Sequence, residues 1–257
     1  MLLPSFLSLP ERSSKPRTTG LTHVLDKGET VELTKSILAA SAAHVDVWKF
    51  GWGTAYIDPT LSDKLSLLRS ADVHSCLGGT LLEIAWTQGK AEACLDWAKA
   101  VGFDRVEVSR GVAPMSVSDK HELIRGAAEL FDVMAEVGSK NPDEVPPPEQ
   151  WASEIAGDLE AGAQWVITEG RESGTVGIYR SDGSIREDIV VAATGAGGVD
   201  KVFFEAPRKD QQAWLIRLFG PEVNLANIAS DQVLALETLR LGLRADTFDL
   251  SRSWQPA

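Results

Sequence analysis

The strongest constraint on this chain is a unit that recurs along it. A short run of β-branched and aromatic residues ends in charge or glycine, and a helical pattern follows. The stretch Trp165–Gly174, WVITEGRESG, shows it most clearly. Trp165, Val166, Ile167 and Thr168 have the character of a buried strand. The apolar run stops at Glu169, and Arg171 and Glu172 follow among glycines. Ligands of parallel α/β folds bind beyond the carboxyl ends of the strands, so acid, base and acid at that position mark chemistry.

The same reading along the chain predicts strands over 22–25, 45–50, 73–77, 105–108, 133–137, 165–168, 202–204 and 223–228. Helices are predicted over 32–43, 59–71, 80–101, 118–130 (with Ser118 as N-cap), 149–161, 187–194 and 210–219. A last helix, capped by Ser230 or Asp231, reaches about Leu243. Residues 177–185 read as a small hairpin or loop around Asp182-Gly183. The Gly195–Gly198 cluster precedes a strand instead of following one, so it is a plain connection and no nucleotide loop. Strands and helices that alternate without an internal linker imply a parallel sheet, and eight units in 257 residues favour a single-domain (β/α)8 TIM barrel. The expected division is an N-terminal arm over 1–20, the barrel over 21–250 and a tail over 251–257.

A net charge of −12 argues against a nucleic-acid partner or an anionic membrane surface. No apolar run is long enough to span a bilayer. The two cysteines, Cys76 and Cys94, offer no disulfide framework and no metal spacing, which suits the cytoplasm. The apolar start, MLLPSFLSLP, lacks a basic segment and holds two prolines, so it reads as an arm and not as a signal peptide. Such an arm is hard to bury on a closed barrel, which predicts a homo-oligomer.

Side chains alternate along a strand, so parity decides which can share the barrel mouth. Asp26, Lys49, Glu107, Ser109, Lys140, Glu169, Arg171, Glu205 and Arg208 all lie near carboxyl ends. Several carboxylates and several cations at one mouth suggest a divalent metal and an anionic substrate. Mg²⁺ fits, because it takes oxygen ligands and keeps waters. The plainer alternative is a set of salt bridges closing the barrel top. Lys140 shares the parity of Glu136 and Gly138. If Glu136 faces inward, so does Lys140, near Glu107 and Glu169, which raise its pKa while desolvation lowers it toward a useful range. The four histidines show no ligand spacing and read as structural. Trp48, Trp52, Trp86, Trp151, Trp165 and Trp214 read as packing residues.

Ordered motifs from Lys15 to Thr247 carry a resemblance. They include KPRTTGLTHVLDKG (15–28), DVWKFGWGT (46–54), GGTLLEIA (78–85), GFDRVEVSRG (102–111), EVGSKNP (136–142), ITEGRESG (167–174), GIYRSDGSIREDIV (177–190) and FEAPRKDQQAWLIRLFGPEVNLANI (204–228). Together they resemble the phosphosulfolactate synthase family, ComA type, whose members adopt a (β/α)8 barrel. The resemblance implies Mg²⁺-dependent addition of sulfite to phosphoenolpyruvate, giving (2R)-phospho-3-sulfolactate. In archaea that product leads to coenzyme M; bacterial and plant relatives include heat-stress proteins. Under this reading Glu107, Glu169 and Glu205 lie near the metal, and Lys140 or Lys49 donates the proton. Lys27, Arg171 and Arg208 hold anions, Ser109 lies at the substrate, and the helix start at Ser230 faces phosphate. Ser139 stands where the family often has a second lysine, which leaves Lys140 as the candidate. The alternatives are a barrel enzyme using another enol phosphate or nucleophile, and a non-catalytic stress or interaction protein that keeps the barrel.

Overall fold

The computed structural model describes residues 6–141 and 143–253. Eight strands close a parallel barrel in chain order: β1 (Thr22–Asp26), β2 (Val47–Phe50), β3 (His74–Leu77), β4 (Arg105–Val108), β5 (Asp132–Val137), β6 (Trp165–Thr168), β7 (Val202–Glu205) and β8 (Asn224–Ala229). Around them run α1 (Val31–Ser41), α2 (Thr54–Ile57), α3 (Leu61–Ser70), α4 (Gly79–Thr87), α5 (Ala91–Val101), α6 (Val117–Ala128), α7 (Pro148–Ala161), α8 (Glu187–Gly197), α9 (Lys209–Phe219), α10 (Val233–Arg240) and α11 (Phe248–Ser253). All eight predicted strands are present, and the (β/α)8 TIM barrel is the fold.

Strand parity sorts the apolar residues into two cores. Outward-facing Trp48, Phe50, Val106, Val133, Val166, Phe204 and Leu225 join the helix layer. Inward-facing Val47, Cys76, Met134, Ile167, Phe203 and Ala226 form a separate cluster inside the barrel, with Leu21. That inner cluster fills the barrel as packed core, so no channel runs through it from one end to the other. Parity also corrects one expectation. Asp26 lies on the outward side of β1 with Val24, where it accepts from the Trp48 indole at 2.9 Å and faces Lys64 at 3.3 Å. It supports the barrel wall and does not enter the mouth.

Several boundaries differ from the sequence reading, each for a local reason. The helix expected over 80–101 is two helices, because Gly89 takes φ +67° and ends the first one. Ser116, not Ser118, caps α6, in a capping box with Asp119. Ser230 and Asp231 lie in a 3₁₀ turn before α10, and that helix stops at Arg240, short of Leu243. Gly195 and Gly197 belong to the last turn of α8. Of the two forms expected at 177–185, the loop excursion is the one present, held by one antiparallel bridge, Tyr179 to Ile185. β8 carries a bulge: Thr22 pairs with Leu225 but Val24 with Ile228, and Asn227 adopts φ +55°. Asparagine tolerates this left-handed conformation better than most residues.

Residues 1–5 of the expected arm and 254–257 of the expected tail lie outside the described residues, and α11 runs across the predicted boundary at 251. The apolar part of the arm that is described stays in the open, with Phe6 82% exposed. The polar part is tied across the amino end of the barrel. Arg12 donates from Nε to Glu237 at 2.9 Å and from Nη1 to Glu222 at 2.6 Å, and Ser13 Oγ reaches Glu222 at 2.6 Å. Burial alone would raise the Glu237 carboxyl, but the Arg12 hydrogen bonds and charge pull it below its ordinary value. Glu222 is lowered in the same way, against its own burial, with Ser13 as the chief donor. Both folded pKa values lie below the unfolded ones, so their contribution is full above the unfolded value and is lost as pH falls through the folded value. Arg12→Met should therefore lower stability at pH 7 and flatten the acid limb of the stability curve below about pH 4.5. Denaturant unfolding across pH 3 to 7 measures both effects.

Candidate active site at the carboxyl end of the barrel

The last inward position of five strands carries charge. Lys49 comes from β2, Glu107 from β4, Glu136 from β5, Glu169 follows β6, and Glu205 ends β7. Lys140, just beyond β5, turns back over them. With Arg171, Glu172, Trp52, Gly79, Thr80, Asn227 and others they line a cavity of about 200 Å³. Lys49 Nζ lies 2.8 Å from Glu107 and 3.6 Å from Glu205. Lys140 Nζ lies 2.6 Å from Glu136 and 3.2 Å from Glu169. Backbone donors complete the set: Gly79 N–H to Glu107 at 2.9 Å, Gly170 N–H to Glu205 at 2.7 Å, and Arg171 N–H to Glu169 at 2.7 Å.

Four carboxylates against two ammonium groups leave a buried excess of acid, and the four carboxyl groups respond to it unequally. Burial pushes the Glu205 carboxyl up to about 7, with Glu136 and Glu107 adding to the rise against Lys49. Burial, then the charges of Glu136 and Glu205, hold Glu169 well above the carboxylate range. Glu136 goes the other way: despite burial, Lys140 and Lys49 hold it down to about 2. As a carboxylate, Glu169 has no hydrogen bond at Oε2; as the acid, it donates to Glu136. Burial would lower both lysines, but the surrounding carboxylates outweigh it and raise each above its ordinary value. Desolvation does lower Lys140 and the carboxylates raise it, as expected, but the net shift is upward and not toward a lower range. Among the described residues no three His, Cys, Asp or Glu side chains form a ready metal cage.

The structure brings Lys49, Lys140, Glu107, Glu169, Glu205 and Arg171 together at this mouth. It does not bring the others. Lys27 is exposed and lines an adjoining crevice with residues of the β1–α1 loop and of α2 and α3. Arg208 is directed to Asp210 at 2.9 Å, with its side chain 41% exposed. Ser230 Oγ donates to Glu29 at 2.6 Å, so a carboxylate already sits at that turn. Ser109 is buried behind the mouth and donates to Glu83. Proximity to a strand end does not fix direction; the loop after the strand does. Ser139 likewise turns away from the mouth and donates to Glu144 at 2.8 Å. Of the tryptophans, Trp48 and Trp151 are buried as expected, whereas Trp52, at φ +54° and 41% exposed, forms part of the mouth. His23 is buried and neutral, its pKa lowered by burial and then by Lys49. Both cysteines are free.

Residues 10–246 match the sequence pattern of the family described as (2R)-phospho-3-sulfolactate synthase (ComA). A phosphosulfolactate synthase of Methanothermobacter thermautotrophicus is 42% identical over 93% of this chain and 95% of its own. One from Bacillus subtilis is 40% identical over 95% of this chain and 98% of its own. The chain belongs to the phosphosulfolactate synthase family. It is an enzyme of that family, in keeping with the charged mouth. Among solved structures, a 3-hexulose-6-phosphate synthase superposes with a TM-score of 0.57 at 18% identity, covering 86% of this chain and 97% of that one, a likeness of fold.

Sequence reasoning missed four residues at or around this mouth. Glu136 was used only to set the parity of Lys140, although that parity made it an inward carboxylate too. Trp52 and Asn227 reach the mouth through left-handed backbone that periodicity does not signal. Glu83, on α4, carries no strand signal at all. Its buried carboxylate accepts from Ser109 Oγ at 2.5 Å, Gly111 N–H at 3.2 Å, Val112 N–H at 2.7 Å and Ala113 N–H at 2.6 Å. It thereby fixes the β4–α6 loop that places Val112 against the cavity. Glu83→Gln presents an amide NH₂ where backbone donors already point, and should cost about 2–3 kcal/mol by leaving buried donors unpaired. Urea unfolding, together with faster amide exchange at 111–113, is the measurement.

Proposed function

We propose that the enzyme adds sulfite to phosphoenolpyruvate with Mg²⁺ bound, giving (2R)-phospho-3-sulfolactate. The observation that carries this reading is the mouth itself: four buried carboxylates interleaved with Lys49 and Lys140, with Arg171 beside them. The donor set fits Mg²⁺. It offers hard oxygen ligands and more carboxyl groups than lysines, so a divalent cation can take the place of a proton at Glu169, whose Oε2 as a carboxylate has no hydrogen bond, and Mg²⁺ needs only one or two protein carboxylates. Glu107, Glu169 and Glu205 are the candidates to hold it. Bound Mg²⁺ supplies Lewis-acid stabilisation of the negative charge that develops beside the substrate carboxylate.

In the reaction the sulfur lone pair bonds to the methylene carbon, and the C=C electrons move toward the carboxylate. A proton then adds to the phosphate-bearing carbon. Lys140 and Lys49 remain ammonium at neutral pH, because the carboxylates raise both. They attract the anions and keep a proton available over the cavity. Lys140 is the proposed donor, since it sits at the open side of the cavity, where Arg171 Nη1 also donates to its carbonyl at 3.4 Å. Arg171 offers a planar fork to an oxyanion. The free thiols of Cys76 and Cys94 suit a reducing cytoplasm, and no helix among the described residues is long and apolar enough to cross a membrane.

Incubation with phosphoenolpyruvate, sulfite and Mg²⁺, followed by mass detection, should show the sulfite adduct; no adduct from folded protein would overturn the reading. Lys140→Ala should lower turnover by about 10²–10⁴-fold while phosphoenolpyruvate still binds. If Lys140 is only a structural bridge, the variant should instead lose thermal stability and binding together, with turnover per folded molecule near wild type. Glu169→Gln should remove activity and leave the fold intact.

We also propose a homo-oligomer, on the exposure of Phe6 and Leu7. Sedimentation at micromolar concentration should show an assembly, and a monomer would refute it.

A further inference from the structure

The amino end of the barrel holds a second cluster of charge, on the opposite side of the apolar interior from the active site. Lys15, Arg17, Asp46, Asp72, His74 and Arg105 line a cavity of about 70 Å³, with Trp165 and Leu21. Arg105 is the first residue of β4 and has the inward parity of Glu107. Its guanidinium lies 4.3 Å from the centroid of the Trp165 ring. Arg17 comes from the arm and closes the cavity from outside. Both side chains are almost wholly buried, at 7% exposure for Arg105 and 2% for Arg17.

Two buried guanidinium groups need acceptors, and the chain does not supply enough. Nε and Nη1 of Arg105 have no hydrogen-bond partner, and neither have Nε and Nη1 of Arg17. Arg17 donates only from Nη2, to the Ala43 carbonyl at 2.5 Å. Asp46 and Asp72 also line the cavity, but the acids that meet the two guanidinium groups do so only at long range. Asp46 Oδ2 accepts from Thr22 N–H at 2.8 Å, and its Oδ1 stays 3.4 Å from Arg17 Nε. Asp104 Oδ2 accepts from Ser75 N–H and Oγ, both at 2.9 Å. Asp132 Oδ1 accepts from Gln164 at 2.6 Å, and its Oδ2 remains 3.9 Å from Arg105. The Lys15 ammonium donates to the Asp72 carbonyl, an uncharged acceptor. Each guanidinium group has one long ion pair and donors without a hydrogen bond, and buried donors left unmet are costly, so two of them around one cavity favour an anion there.

We propose that this cavity binds a small oxyanion of the phosphate or sulfate class between Arg17 and Arg105. The guanidinium fork suits such an anion, and the size of the cavity suits one small ion and not a larger metabolite. Because Lys15 and Arg17 belong to the arm and Arg105 to the barrel, the anion also fastens the arm across the barrel's amino end. Binding to the folded state alone stabilises the protein in proportion to occupancy.

The test uses the full chain and inorganic phosphate, with chloride at matched ionic strength as control. Phosphate should raise the unfolding temperature saturably and slow tryptic cleavage after Arg12 and Arg17. Arg105→Gln should weaken phosphate binding by about tenfold or more in calorimetric titration. Arg17→Gln, on the arm and outside the barrel core, should do the same if Arg105→Gln fails to fold. Arg171→Ala, at the other end of the barrel, should keep the arm protection, which separates this site from phosphate held at the active site. Phosphate that protects the arm no better than chloride would overturn the proposal. So would arginine variants that titrate like wild type. A change in sedimentation of the arginine variants without a change in phosphate affinity would also overturn it, because a carboxylate of a second copy would then be the acceptor.

Discussion

Four carboxylates buried around two lysines set the terms for the rest of the molecule. Each of these acids loses its hydration on folding, and mutual repulsion adds to that cost. The arrangement survives because the lysines are interleaved, Lys49 between Glu107 and Glu205, Lys140 between Glu136 and Glu169. Burial and mutual repulsion raise the pKa values of Glu205 and Glu169, which makes these two the readiest of the four to give up their charge. Such a mouth is poor as a device for stability alone, since packed apolar residues would fill the space at less cost. It is well suited to a polyanionic substrate that arrives with a cation.

Much of the loop structure serves this one cluster. Gly138 takes φ +128°, and a Cβ there would lie 2.5 Å from Trp151 and 2.6 Å from Cβ of Glu169. Gly177 takes φ +62°, and a Cβ would meet the Glu169 carbonyl at 1.9 Å. The excursion after β6 is therefore pressed directly onto the strand end that carries Glu169. Its Ile178 N–H donates to that same carbonyl at 3.0 Å, and Tyr179 donates to the Glu205 carbonyl. The carboxylates of the mouth thus sit on backbone that is held from behind by helices and from the side by this loop. That rigidity keeps donors aimed before substrate arrives.

How much of this was legible follows from which physical signals are periodic. Strand alternation is periodic, so the barrel and the inward positions of Lys49, Glu107, Glu169 and Glu205 could be read from the chain. The turn that brings Lys140 back over Glu136 was legible from parity and the glycine at 138. Lys27, Arg208 and Ser230 were misplaced because they lie in loops, where local partners such as Asp210 and Glu29 decide direction. The bulge at Asn227 and the break at Gly89 depend on single left-handed residues that leave the hydrophobic pattern unchanged. Glu83 was invisible for a different reason: it acts from a helix on a loop across the sequence, and no spacing rule connects the two.

The inner apolar cluster has an electrical meaning beyond packing. Val47, Cys76, Met134, Ile167, Phe203 and Ala226 lie as a low-dielectric plug across the barrel, between an acid-rich mouth and an arginine-rich base. Charges on either side are poorly screened from each other through such a medium. His23 lies within this plug, edge-on to Phe203 with ring centroids 6.1 Å apart, and feels both Lys49 above and Arg105 below. Kept neutral by its burial and by those two cations, it accepts from Asn227 N–H at 3.4 Å and adds no charge to the barrier. The barrel thereby carries buried charge at both ends of its axis, with a layer between them that adds none.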